Sequence, residues 1–203
     1  MRAAVCVLLA LSIAVPASAA SLSRTYSYFP VGGMTLTEIE RQLRERGPRL
    51  ESTGQRHPGA TSMEFTTRID YAEGDGYCHV ADARVSVEAK VLLPKWRDRR
   101  RAEREVRLIW DTLSRDIKRH EESHLSIAKT HARRLEDALK NLGRMTSCEA
   151  LARKAEATTA RMLAEHDAAQ DRFDRIEAIN FESRILRLLR YRLEQIEAGR
   201  LQP

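Results

Sequence analysis

Apolar and polar positions alternate through the first half of the chain and recur at three- and four-residue steps through the second. Met63, Phe65, Thr67, Ile69 and Tyr71 alternate with more polar neighbours, the two-residue period of a half-buried strand. Ala83, Val85, Val87, Ala89 and Val91 then share one face of a further strand, with Arg84, Ser86, Glu88 and Lys90 on the other. Gly74-Asp75-Gly76 supplies the turn between the two, and Pro94 is expected to close the second. Upstream, residues 24–29 form a short strand ended by Pro30 and Gly32-Gly33. Thr35-Leu36-Thr37-Glu38 reads as a capping box, Leu36, Ile39 and Leu43 follow at helical spacing, and Gly47-Pro48 stops that helix before a loop over residues 49–60.

From Glu103 the period becomes helical. Val106, Ile109, Leu113, Ile117, His120, His124, Ile127, His131, Leu135 and Leu142 lie on one stripe, with no Pro or Gly before Gly143. Thr146-Ser147-Cys148-Glu149 offers a second capping box, and a second helix is expected to run to about Ala198 with Leu151, Ala155, Met162, His166, Phe173 and Ile176 on its stripe. Two long helices joined by a four- or five-residue turn make an antiparallel hairpin. The pattern therefore predicts an α+β fold: a small antiparallel sheet with one helix (residues 21–96) packed on a long antiparallel helical hairpin (residues 103–198).

Composition agrees. Among 203 residues, 42% are apolar and 32% charged, which excludes a wholly disordered chain. Only 5% are aromatic and only nine are Gly, which argues against an all-β barrel or sandwich. Residues 1–19 read as a secretory signal peptide: Met1-Arg2, an apolar run from Ala3 to Val15, and small residues at Ala17-Ser18-Ala19. No later stretch is long enough to span a bilayer, so a periplasmic or secreted unit over residues 20–203, without a transmembrane anchor, is expected. Cleavage removes one Arg, lowering the formal net charge from +6 to +5, and also removes Cys6. The remaining pair, Cys78 and Cys148, suggests one disulfide in an oxidising compartment, the alternative being two buried thiols.

The chemistry is concentrated in His120-Glu121-Glu122-Ser123-His124, an H-E-x-x-H motif in mid-helix. Histidines four apart lie one turn above each other, so both imidazoles can reach one ion, and neutral nitrogens suit Zn²⁺. Glu121 is one residue round from His120 and flanks the metal's water, where it can act as general base. Both histidines fall on the apolar stripe, where Leu or Ile would otherwise be expected. A zinc protease site needs a third protein ligand. His131 shares the face but stands about 10 Å along the axis from His124, too far to share the ion. With the hairpin centred near residue 145, position 124 faces about 166 and position 120 faces about 170. His166 is then the first choice, Asp174 the second and Glu177 the third.

A family resemblance attaches to residues spread along the chain: Tyr26-Ser27-Tyr28-Phe29-Pro30-Val31-x-Gly33, Gly47-Pro48, Thr61, Cys78-His79-Val80, Leu93-Pro94-Lys95-Trp96, Trp110, His120-Glu121-x-x-His124 and Cys148. With these the chain resembles a bacterial family of predicted secreted zinc-dependent proteases, catalogued as a domain of unknown function. The resemblance implies an α+β fold, a Cys78–Cys148 disulfide and zinc at the two histidines. Relatives tend to follow the second helix with Tyr-Asp-x-x-Thr-x-His-Gly. Here the corresponding residues are Phe173, Asp174, Glu177, Ile179 and Asn180, so the aromatic and the Asp are kept while Thr, His and Gly are replaced.

The expected function is hydrolysis of peptide or amide bonds in a cell-envelope substrate by a zinc metallopeptidase. Its rival is a catalytically degenerate envelope binding or scaffolding protein, with structural metal or none. Lys95, Arg97, Arg99, Arg100, Arg101 and Arg104 form a basic cluster read as a solvated linker or a face for anionic envelope polymers, not a nucleic-acid site. Arg184, Arg187 and Arg190 beside Ile185, Leu186, Leu188 and Leu189 make an amphipathic end suited to a membrane surface or a partner helix.

Overall fold

A computed structural model describes residues 20–49 and 54–201, so the expected signal peptide at residues 1–19 lies outside the described residues. The elements run β1 (Ser21–Val31), α1 (Leu36–Arg46), β2 (Ala60–Gly74), β3 (Tyr77–Trp96), α2 (Arg104–Lys140) and α3 (Cys148–Glu197). This is the expected α+β architecture, with one three-stranded sheet in the order β1-β3-β2.

The sheet is mixed, which corrects the expectation of antiparallel pairing throughout. β2 and β3 form the antiparallel hairpin that Gly74-Asp75-Gly76 predicts, but β1 lies parallel to β3, from Ser21 opposite Ser86 to Val31 opposite Trp96. The α1 segment and β2 intervene between β1 and β3, and that length of chain permits the crossover that parallel pairing needs. Pro94 does not end β3. The β2 pairing stops at Ala60 opposite Leu92, while the Arg97 N–H donates to the Val31 carbonyl at 3.0 Å. Odd-numbered amides here face β1, so the N–H that Pro94 lacks falls on the side where no strand remains.

The β3 face with Ala83, Val85, Val87, Ala89 and Val91 is buried throughout, as its alternation predicts. It packs on Leu125, Ala128, Ala132, Leu135 and Leu139 of α2, and Leu151, Ala155 and Met162 of α3 join the same core. Each fully buried Val or Leu contributes about 1.5–3 kcal/mol relative to exposure. One buried carboxylate interrupts this surface. The Val85 amide lies beyond the start of β1, and Glu136 Oε2 accepts from it at 3.0 Å while Lys140 Nζ meets Glu136 Oε1 at 2.7 Å. At the other end Trp96 and Trp110 pack 5.5 Å apart with Phe29, Val31 and Ile39, closing a second cluster over α1. The Thr35–Glu38 capping box at the start of α1 is formed as expected.

The helical hairpin differs from expectation at its connection. Gly143 takes the left-handed conformation (φ 80°) that a helix exit requires. The cap of α3 is Ser147, whose hydroxyl accepts from the Ala150 amide, not Thr146. The connection is no tight turn. Met145 exchanges backbone hydrogen bonds with Cys78 at 2.7 and 2.9 Å, and Cys78 is disulfide-bonded to Cys148. The loop is thus tied to the head of β3, and α3 starts later than a short turn would allow.

The disulfide closes a loop with a sequence separation of 70 residues. In the chain-entropy model, such a link stabilises the fold by roughly 4 kcal/mol. Replacing both cysteines with serine is expected to lower the denaturation free energy by up to that amount. Denaturant melts of the double variant beside the wild type check this, and superimposable transitions would contradict it.

Candidate metal centre

Between α2, α3 and the chain entering β2 lies a cavity of about 530 Å³, lined in part by Gly59, Thr61, His120, Glu121, His124 and Asp174. The way α2 is divided explains its contents. Ile117, Glu121, Leu125, Ala128, Ala132 and Leu135 face the sheet and are buried. His120, His124 and His131, one residue round, turn instead toward α3. What reads as one stripe in sequence is two adjacent faces serving two neighbours.

His120, His124 and Asp174 converge, each offering one ligand atom, with all three atoms within 4.8 Å of one another. His120 Nε2 and His124 Nε2 are 3.2 Å apart. Asp174 Oδ1 stands 3.3 Å from the first and 3.1 Å from the second. That oxygen is buried and has no hydrogen-bond partner among the described residues. Tetrahedral ligands at about 2.0–2.1 Å from zinc are separated by about 3.3–3.4 Å, so the triangle has the size of one face of such a site. With Nδ1 of His124 donating to Gln170, the His124 Nε2 lone pair faces His120 Nε2 and Asp174 Oδ1, a convergence of donor atoms that a proton on His120 or a bound cation can satisfy. The three residues are therefore a group able to bind a metal ion.

Hydrogen bonds behind the rings set their orientation. Gln170 Nε2 donates to the His124 carbonyl at 3.2 Å and lies 2.8 Å from His166 Nε2. This fixes the amide so that Gln170 Oε1 accepts from His124 Nδ1 at 2.7 Å, leaving His124 Nε2 as the atom turned to the cluster. Glu177 Oε2 lies 3.6 Å from His120 Nδ1. Phe173 stacks on His120 with centroids 5.0 Å apart and meets His124 edge-on at 5.1 Å.

Burial opposes charge on His124, but Asp174 and Gln170 outweigh it and hold the ring above its ordinary pKa of 6.5. Burial likewise disfavours the Asp174 carboxylate, yet the two imidazoles beside it prevail and hold its pKa well below the usual range. Glu121 behaves oppositely. Burial pushes its carboxyl up, against the Thr61 hydroxyl, which donates to Oε2 at 2.8 Å, and against the nearby imidazoles.

Beneath His120 a charged network spans the helices. Arg184 bonds the buried Asp116 at 3.0 and 3.2 Å and pairs with Glu177 at 3.2 Å, while Arg119 bonds Asp116 at 2.9 Å and also pairs with Glu177. Burial would raise the Glu177 pKa, but Arg119 and Arg184 outweigh it and keep the group ionised. These four side chains match two anions with two cations inside the hairpin.

Of the residues predicted from sequence, the structure brings together His120, His124 and Asp174, with Glu121 beside them. His166 lies one turn away. It is buried, with Nδ1 3.0 Å from Asp167 Oδ1, Nε2 on Gln170 and its ring against Phe65 at 4.9 Å. The expected facing of 124 with 166 is displaced by one turn: His124 meets Gln170, and His120 meets Asp174. Thr61 belongs to the residues that carry the resemblance while Gly59 and Gln170 carry no motif, and for all three only the long-range fold reveals their contacts. Ile179 is 82% exposed and does not line the cavity. In the basic cluster, Arg99 pairs with Asp111 at 2.6 Å and Arg101 with Asp98.

Fold and site together define an α+β protein whose helical hairpin carries a His/His/Asp group capable of binding metal. The chain belongs to the family described as "Bacterial protein of unknown function (DUF922)", whose profile matches residues 26–181 and so includes every residue of that group. No curated protein and no solved structure matches it.

Gly59 packs so closely that a Cβ there would lie 2.8 Å from Glu121 Oε1 and 2.9 Å from Ile117 Cγ2. Gly59→Ala is expected to destabilise the fold by about 1–3 kcal/mol through overpacking. Chemical denaturation measures it, and an unchanged midpoint would show that the loop does not rest on Glu121.

Proposed function

We propose that the protein is an exported zinc-dependent peptidase in which His120, His124 and Asp174 hold the metal and Glu121 is the general base. The observation that carries this reading is the triangle of 3.1, 3.2 and 3.3 Å between two imidazole nitrogens and a buried oxygen without a hydrogen bond. Asp174 is preferred to His166 because both His166 nitrogens are engaged with Asp167 and Gln170. It is preferred to Glu177 because that carboxylate serves Arg119 and Arg184. Two imidazoles with one carboxylate suit zinc better than calcium or magnesium. Three protein ligands leave a position for water or substrate, the arrangement of a catalytic site and not of a closed structural one.

A zinc ion in this group would supply Lewis acidity and a bound water acidified toward neutral pH. Glu121 accepts the proton given up by the attacking water and delivers it to the leaving amine as the C–N bond breaks. A carboxyl raised by burial suits that exchange, because its pKa lies nearer the working pH. Thr61 orients the carboxylate, Gln170 orients His124, and Met63, Ile117 and Phe181 give the cavity walls apolar contact for a substrate side chain. The disulfide suits an oxidising compartment, with residues 1–19 as signal, residues 20–203 as one secreted unit, and envelope peptides or proteins as substrates.

The mature protein is expected to bind about one zinc per chain, and His120→Ala, His124→Ala and Asp174→Ala to lose tight binding. Glu121→Gln should keep the metal but release amines from a peptide library about 10²–10⁴-fold more slowly. Elemental analysis and an amine-release assay with and without chelator check both. Zinc-loaded protein that cleaves no peptide, or full activity in Glu121→Gln, would contradict the proposal.

Zinc and protons compete for His124, since only the neutral ring can bind metal. Because that ring's pKa is raised above 6.5, competition is expected to begin on the alkaline side of that value, and affinity to fall as pH falls. Asp174, held low, adds no competition until far more acid conditions. Calorimetric titrations in buffers of different ionisation enthalpy should show proton release on zinc binding that grows between about pH 8 and pH 6. A release that does not vary with pH would refute it.

A further inference from the structure

The last third of α3 buries none of its residues, in contrast to the stretch up to His166. Along it Ile179, Leu186 and Leu193 are 82%, 57% and 46% exposed. They recur every seven residues, so they fall on one line about 21 Å long. At 100° per residue, Arg175, Glu182, Arg190 and Glu197 flank the same line, and all four are exposed. None of the four has an ion pair or side-chain hydrogen bond among the described residues, whereas Arg184 and Arg192, on the inner side, are paired with Asp116 and Asp111. An outward aliphatic row edged by unmatched charges of both signs requires a partner with the complementary pattern.

The pattern is complementary to itself. Run antiparallel to a second copy with Leu186 opposite Leu186, the helix sets Ile179 opposite Leu193. It also sets Glu182 opposite Arg190 and Arg175 opposite Glu197, each twice by symmetry. A parallel pairing would place each of these charges against its own like. We propose that this face of α3 is the interface of an antiparallel, two-fold symmetric dimer with Leu186 on the axis. The contact is isologous, so it closes at two copies and does not propagate. It buries a single helix face, smaller than a standard interface, so dissociation in the micromolar range is expected. The inference is independent of the peptidase reading, since no residue of the metal group takes part.

Sedimentation velocity of the mature chain over a series of concentrations tests it. The wild type is expected to pass from monomer to dimer. Leu186→Asp should weaken association at least tenfold while leaving the circular dichroism unchanged, as expected for an exposed position. Glu182→Arg alone and Arg190→Glu alone should each weaken it several-fold, and the double swap should restore it. Leu186→Cys should cross-link the dimer under mild oxidation, while Ile179→Cys, about 21 Å from its counterpart, should not. A wild type that remains monomeric at 100 µM overturns the proposal, including one that instead binds phosphatidylglycerol vesicles. So does a double swap that leaves association as weak as the single variants.

Discussion

Asp174 Oδ1 sits 3.1 and 3.3 Å from two imidazole nitrogens that are themselves 3.2 Å apart, and that crowding of electron pairs is the constraint around which the rest is arranged. Such a convergence of donor atoms, suited to a proton or a cation, persists only if the backbone keeps His120, His124 and Asp174 in register. The register is held from two ends. At one, Met145 pairs with Cys78 and the disulfide joins Cys78 to the first turn of α3. At the other, Asp116, Arg119, Glu177 and Arg184 form a balanced network between the helices. A buried network of this kind adds little net stability over an apolar core. Its value here is directional, since it ties α3 to α2 directly beneath His120.

The division of α2 into two faces gives the site its two chemical halves. The face toward α3 carries the two imidazoles, and that helix supplies the third member of the group, the Asp174 carboxylate. The face toward the sheet carries Glu121, which meets Thr61 on β2 and Gly59 before it. The proposed ligands His120 and His124 and the proposed base Glu121 thus rest on different supports although they are neighbours in sequence. The outer side of α3 takes no part in either half, and beyond His166 the helix buries none of its residues.

The parts legible in the sequence were those set by local period. The alternation of Ala83 to Val91 gave the buried strand face, the four-residue spacing of His120 and His124 gave their shared face, and Thr35 with Glu38 gave the α1 cap. The parts that failed depended on contacts between distant segments. Parallel pairing of β1 leaves no mark on its own alternation, and Pro94 is tolerated only because β2 has already ended. That His124 meets Gln170 and His120 meets Asp174, one turn further along α3 than expected, depends on how the two helices dock, which neither helix's own period contains. Gly59 and Gln170 carry no signal in sequence, Thr61 carries one only through the family resemblance, and the packing of β2 and α3 against α2 is what gives all three their partners.

The central claim is that His120 Nε2, His124 Nε2 and Asp174 Oδ1 are the three protein ligands of one zinc ion. A crystal of the mature protein grown with zinc, measured on both sides of the zinc absorption edge, tests it most directly. The account predicts an anomalous peak equidistant from those three atoms, at about 2.0–2.2 Å, with His166 still bonded to Gln170. A peak coordinated by His166 or Glu177 in place of Asp174, or no peak between the two histidines, would contradict it.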